Sequence, residues 1–141
     1  MNCLSFDVGG TTVKYGVIDE SYKILNKDKI PTPENEEKFI ESLSNIIQEN
    51  LSKISEVSIA MPGYVDSANN KYLYGPHLQF GIDFLKLSNF TDYKFHLDND
   101  GNVAAYCEYF LNYKNKYSNL IMLTFGTGVG GGIISEGRLL R

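Results

Sequence analysis

No tryptophan occurs in this chain, cysteine appears only twice, and no apolar run is long enough to span a bilayer. A spanning helix needs about 20 consecutive apolar residues, so a membrane span is not expected. Cys3 and Cys107 lie far apart, with neither zinc spacing nor a disulfide framework. That usage suits a reducing, cytoplasmic setting. Asp7 follows Met1 too closely for a secretory signal peptide. Positive charge is scarce as well: the formal net charge is -4 and no Lys/Arg cluster stands out. An electrostatic footprint for nucleic acid is therefore not expected. Repeats, low-complexity tracts and linkers are missing too. What remains is 141 residues, 43% hydrophobic, enough for one compact domain over residues 1–141 with a core that needs no staples.

The hydrophobic pattern reads as alternating strands and helices. Leu4 to Asp7 is a short apolar run ending in an acid, and Gly9-Gly10 turns the chain. Val13 to Ile18 and Ile24 to Ile30 supply two more strands, giving an antiparallel start that Pro31 and Pro33 close. Glu36 to Leu51 follows a helical period, with Phe39, Leu43, Ile46, Ile47 and Leu51 on one core-packing face. Val57 to Ala60 reads as a buried strand ending in the Met61-Pro62-Gly63 turn. Asn69-Asn70 marks a hairpin tip before Tyr72 to Tyr74, and a short helix is expected over Asp83 to Leu87. Phe95 to Leu97 is a strand and Asn102 to Tyr113 a helix, with Val103 and Phe110 assigned to its buried face. Leu120 to Phe125 reads as a buried strand, and Gly132 to Ser135 as another. The class is α/β: a mixed sheet of about five or more strands with flanking helices.

Three motifs bear chemistry. The first is Asp7-Val8-Gly9-Gly10-Thr11-Thr12-Val13-Lys14. Glycines let backbone N–H groups approach a phosphate without a side chain in the way. Thr11 and Thr12 add hydroxyl donors and Lys14 a positive charge. Asp7, at a strand end, suits a magnesium ion that keeps much of its water. A plain hairpin turn accounts for the same Gly-Gly pair.

The second is Phe125-Gly126-Thr127-Gly128-Val129-Gly130-Gly131-Gly132, five glycines in the seven positions from 126. It contains a GxGxxG pattern, but a dinucleotide fingerprint must open a helix, and here a strand follows. Two strands joined by such a turn can still cradle a phosphate with backbone amides and the Thr127 hydroxyl. A glycine-rich hairpin with no ligand is the alternative, though so dense a run costs chain entropy.

The third is Asp98-Asn99-Asp100-Gly101-Asn102, between a strand and a helix. Asn102 or Asp100 would cap the helix. One cap does not need two acids and two amides. A carboxylate there is placed to accept a hydroxyl proton during phosphoryl transfer, and asparagine both donates to and accepts from sugar hydroxyls. His77, after Gly75-Pro76, could touch a ligand from its loop, or simply be solvated.

The order of these motifs resembles one family. Asp7 to Lys14 is similar to the DxGGTx(I/V)K segment that opens kinases of the ROK family (repressors, open reading frames, kinases). Ala60-Met61-Pro62-Gly63-Tyr64-Val65-Asp66 resembles their G(I/V)PG-x-(V/I)-D segment, LDNDGNVAA from Leu97 their ENDANAAA, and LTFGTGVGGGII from Leu123 their LTLGTGIGGGII. Four motifs in register cover nearly the whole chain.

The resemblance implies a ribonuclease H-like, actin-like ATPase superfold, one amino-terminal lobe of a two-lobe kinase. It implies ATP-dependent phosphorylation of a hexose or N-acylhexosamine by a longer parent, with ATP and Mg2+ used and any zinc site outside this segment. By matched position, Asp100 is the catalytic base, and Asn99, Gly63, His77 and Asp100 face the sugar. Gly9, Gly10, Thr11, Thr12 and Lys14 face the ATP phosphates, Asp7 organises magnesium, and Gly126, Thr127, Gly128 and Gly130 form a second phosphate loop. Asp98 departs from the family's usual Glu, Gly101 from its Ala, and His77 from the Asn of a PNL-like segment. The expected partners are a sugar and ATP, with no nucleic acid or membrane, and a homodimer is a candidate assembly. Family members continue past the second loop into an adenosine-binding lobe, so this segment by itself is expected to fold but not to turn over. A second class is a non-catalytic sugar-sensing domain of a ROK-type transcriptional regulator. Such regulators place a helix-turn-helix domain before the first motif, and only six residues precede Asp7 here.

Overall fold

The computed structural model describes residues 2–90, 93–126 and 128–141, with the side chains of 88–90 left out. Two compact units divide the chain, residues 1–98 and 99–141.

The first unit opens with β1 (Cys3–Val8), β2 (Thr12–Ile18) and β3 (Ile24–Pro31), an antiparallel meander. Helix α1 (Glu36–Asn50) then carries the chain across to β4 (Glu56–Met61), which pairs parallel with β1. A small antiparallel sheet follows, made of β5 (Tyr64–Asp66), β6 (Lys71–Tyr74) and β7 (Ile82–Asp83). A 3-10 segment (Phe84–Phe90) leads to β8 (Lys94–Asn99), and the main sheet has the order β3-β2-β1-β4-β8. This is the mixed five-stranded sheet that the alternation of strands and helices called for.

Strand period sorts the residues of β1. Leu4, Phe6 and Val8 are buried with Val13, Val17, Val57, Ile59 and Leu97. The helical face Phe39, Leu43, Ile46 and Ile47 joins the same core, as its spacing predicted. Asn35 caps α1, accepting the Lys38 N–H at 3.0 Å, and Glu36 and Glu37 suit the positive end of the helix dipole. Because side chains alternate along a strand, Asp7 falls on the face away from Phe6 and Val8 and stays exposed. Asp83 lies in β7, and the short helix expected from it begins one residue later as the 3-10 segment.

The second unit holds α2 (Asp100–Glu108), which continues through a π-helical turn (Tyr109–Tyr113). An antiparallel sheet of β9 (Leu120–Phe125), β10 (Val129–Ser135) and β11 (Arg138–Leu139) completes it, in the order β11-β10-β9. Two expectations change here. Val103 is exposed, and the buried face of α2 is Gly101, Ala105 and, continuing into the π-turn, Tyr109. Small residues line it because the helix backbone lies nearly against β10. A Cβ on Gly101 would meet Gly131 O at 2.8 Å and Gly131 N at 2.9 Å, and one on Gly132 would meet Ala105 Cβ at 2.6 Å. Strand β9 keeps its expected limits but is not buried on both faces. Ile121, Leu123 and Phe125 are exposed, and their register partners Ile133, Gly131 and Val129 share that side of the sheet. Among the described residues, no helix is long and apolar enough to cross a membrane.

Candidate functional site

The first bend lies between β1 and β2. Val8 pairs with Val13, leaving residues 9–12 as the turn. Gly9 N–H donates to Thr12 O at 3.0 Å and closes it. Gly10 and Thr11 are exposed, and their N–H groups donate no hydrogen bond among the described residues. Consecutive unpaired backbone donors of this kind are what an anion requires. Below the turn, Asp7 and Lys14 are cross-strand partners with Oδ2 and Nζ 3.8 Å apart, both well exposed. An exposed pair at that distance contributes little to stability, and both groups stay open to a ligand. A hydrated magnesium ion needs only one or two protein carboxylates, and Asp7 fits that demand. Among the described residues, no group of three or more potential metal ligands exists, so any metal here would bind through water and substrate as well.

Thr32 was invisible as a site residue in the sequence. Its Oγ1 donates to Gly9 O at 2.6 Å and its N–H donates to Thr11 O at 3.0 Å, so it braces the bend twice. Only pairing of β2 with β3 brings residue 32 to the turn, and no local motif announces that. Thr32→Val should remove the hydroxyl bond and keep the backbone one. A loss of about 1 kcal/mol is expected, with a melting temperature lower by about 3 °C. Faster amide exchange at Gly10 and Thr11 would accompany it, and unchanged exchange would show that the brace does not hold the bend.

Gly63 and His77 belong to neighbouring loops of the same unit. Gly63 has φ +94°, and a Cβ there would meet Tyr74 O at 2.6 Å and Gly75 Cα at 2.7 Å. Gly75 is equally confined, since a Cβ on it would meet Tyr72 Oη and, at 2.8 Å, Pro62 O. The two loops thus touch backbone to backbone. Tyr72 is buried and its hydroxyl donates to Leu78 O at 3.0 Å. Burial pushes that phenol up from its ordinary value, so it remains a donor at neutral pH. His77 rides on this turn, exposed, with its Cβ against Gly10.

In the second unit, Asn99 rather than Asn102 or Asp100 caps α2. Its Oδ1 accepts the Asn102 N–H at 3.1 Å. A cap must have extended backbone, and Asn99, the last residue of β8, has φ -67° and ψ 142°. Asp100 is thereby the first helical residue. It is exposed, its Oδ1 accepts the Gly101 N–H at 2.8 Å, and its second oxygen accepts nothing among the described residues. A carboxylate held by one oxygen and open at the other is the arrangement a proton acceptor needs.

The β9–β10 bend lies in the same unit. Phe125 pairs with Val129, and Gly126 N–H donates to Gly128 O at 2.9 Å. Thr127 lies outside the described residues. A Cβ at Gly126 or Gly128 would meet nothing within 4 Å, whereas at Gly130 it would meet Thr124 Oγ1 at 2.9 Å. Gly131 and Gly132 are thus demanded by packing against β9 and α2. No packing contact among the described residues demands glycine at 126 or 128.

The fold is that of the actin-like ATPases. A ROK family glucokinase from Streptomyces griseus, solved with glucose and AMPPNP, superposes with a TM-score of 0.84 at 29% identity, over 100% of this chain and 46% of that one. The ROK family profile matches residues 3–141, and the chain belongs to that family. It is 31% identical over 142 residues to the glucokinase of Streptomyces coelicolor, which covers 98% of this chain and 45% of that protein. It is 31% identical to the N-acetylmannosamine kinase of Vibrio cholerae, over 99% of this chain and 50% of that protein. The chain therefore spans about half the length of the curated relatives it matches. A ROK family transcriptional regulator also superposes, with a TM-score of 0.86 at 19% identity, a likeness of fold alone.

Proposed function

We propose that this chain serves ATP-dependent phosphorylation of a hexose or N-acylhexosamine in a polypeptide of its relatives' length. Asp100 carries the proposal: a carboxylate presented at the first turn of α2, steadied by its own helix and open to solvent at one oxygen. In this reading it accepts the proton of the sugar hydroxyl as that oxygen attacks the terminal phosphoryl group. Asn99 orients the sugar through its side-chain amide, and Gly63 and His77 shape the sugar's surroundings.

Gly10 and Thr11 offer their amides and Thr11 and Thr12 their hydroxyls to nucleotide phosphates, with Gly9 shaping the bend and Lys14 adding charge. Gly126, Thr127, Gly128 and Gly130 offer a second backbone cradle. Asp7 would hold a hydrated magnesium ion, which when bound with the nucleotide neutralises charge on the phosphates. Phosphoryl transfer draws on positioning and electrostatics more than on covalent help from the protein. A base, a cation organiser and two amide-lined bends are the parts it needs.

The experiment is ADP release by the polypeptide of relatives' length carrying this segment, screened across hexoses and N-acylhexosamines with ATP and Mg2+. Sugar-dependent release from one or a few of these is the expected result. Sugar binding without any release would favour the sugar-sensing regulator instead.

A further inference from the structure

His77 occupies the volume that a side chain at position 10 would need. A Cβ built on Gly10 would fall 2.6 Å from His77 Cβ, 2.9 Å from its Cγ and 3.4 Å from its Nδ1. The turn that places His77 is itself well anchored. Leu78, the next residue, is 2% exposed. Its carbonyl accepts the Tyr72 hydroxyl at 3.0 Å and the Gly75 N–H at 3.2 Å. The bend between β1 and β2 is therefore held by two elements. Thr32, the residue after β3, donates to the carbonyls of Gly9 and Thr11. His77, from the β6–β7 connection, bears on Gly10 between them. The Gly10 and Thr11 N–H groups, which meet no acceptor among the described residues, sit within this grip.

We propose that His77 is a positioning residue for the first phosphate bend, fixing the direction of the Gly10 and Thr11 N–H groups by its seat against Gly10. This rests on the reading of that bend as a phosphate site and deepens it. A backbone anion nest exists only while consecutive residues keep the conformation that aims their N–H groups at one point. Donors held in place also bind developing or fixed charge without a reorganisation cost. A side chain whose Cβ fills the space beside Gly10, at the middle of the bend, supplies that restraint. It also makes the loop carrying residue 77 and the bend carrying residue 10 move as one body.

The test titrates Mg2+–ADP into the polypeptide of relatives' length carrying this segment and follows the Gly10 and Thr11 amide resonances. The wild-type chain should show saturable shifts at both amides. His77→Gly, which removes the Cβ seated beside Gly10, should weaken the apparent affinity about fivefold or more. His77→Asn keeps a planar group on the same Cβ and should stay close to wild type. His96→Ala, the chain's other histidine, should change nothing. A loss caused only by a weakened fold would lower the melting temperature and would not be rescued by Asn.

A steric cycle tests the seat without nucleotide. Gly10→Ala should destabilise the wild-type background. It should cost nearly as much in His77→Ala, which keeps the 2.6 Å Cβ, and little in His77→Gly. Wild-type titration with no effect of His77→Gly overturns the positioning role alone. Equal cost of Gly10→Ala in all three backgrounds overturns the seat. A wild-type chain silent to Mg2+–ADP overturns the phosphate reading of the bend and this role with it.

Discussion

Asp100→Asn, placed in the polypeptide of relatives' length, is expected to lower kcat by about 10²- to 10⁴-fold, the usual contribution of a general base. The substitution changes little else. Asparagine has the shape of aspartate, and its side-chain oxygen can still accept the Gly101 N–H, which Asp100 Oδ1 now accepts at 2.8 Å. The Asn99 cap is untouched, so the start of α2 should persist. What disappears is the negative charge and the capacity to take a proton. Sugar affinity, measured by calorimetry without nucleotide, should therefore remain near wild type while ADP release collapses. Retained turnover would remove Asp100 from the reaction. A parallel loss of sugar affinity and turnover would make it a binding residue instead.

Gly63→Ala should be the most damaging single methyl in the first unit's loops, at about 2–4 kcal/mol. Two costs combine. At φ +94° an L side chain is strained whatever space surrounds it. The new Cβ would also meet Tyr74 O at 2.6 Å and Gly75 Cα at 2.7 Å, both backbone atoms that cannot rotate away. Urea unfolding of the 141-residue chain measures the effect. Gly81→Ala is the control, because its Cβ would reach only ordinary contact, 3.4 Å from Tyr72 O. It should stay within about 0.5 kcal/mol of wild type. Equal stability of the two variants would mean that the Pro62–Gly63 and Tyr74–Gly75 loops are not locked together. Gly63 also acquires a second meaning here. As a matched position it reads as a wall of the sugar pocket, and the geometry adds that it permits the loop crossing from which the His77 turn is built.

The parts of the site that were legible in the sequence are those written in local chemistry. Gly9-Gly10 between two apolar strands reads as a bend, and the bend closes between Val8 and Val13. An acid ending a strand reads as exposed by alternation, and Asp7 is exposed opposite Lys14. The spacing of Phe39, Leu43, Ile46 and Ile47 reads as one helical face, and all four are buried. The helix cap was misplaced by one residue or more because Asp98 to Asn102 offers several capping side chains in a row. The choice fell to Asn99, where β8 ends and the backbone is still extended.

Composition by itself pointed to an ordinary globular chain long enough to bury a core, and the order of its four motifs determined the family. Those properties depend on which residues follow one another, and turns, strand faces and helix faces are set within a few positions. Tertiary structure alone decided that Thr32 and His77 grip the first bend from segments 20 or more residues away. It also decided that Gly101 and Gly132 are glycines because α2 lies on β10, and Gly131 because its Cβ would meet the Met122 carbonyl of β9, while Gly126 and Gly128 meet no neighbour among the described residues. It left Ile121, Leu123 and Phe125 on an uncovered face of a strand whose sequence reads as core. The reason is common to all of these: a residue's neighbours across the fold determine its contacts, and no stretch of sequence carries the identity of those neighbours.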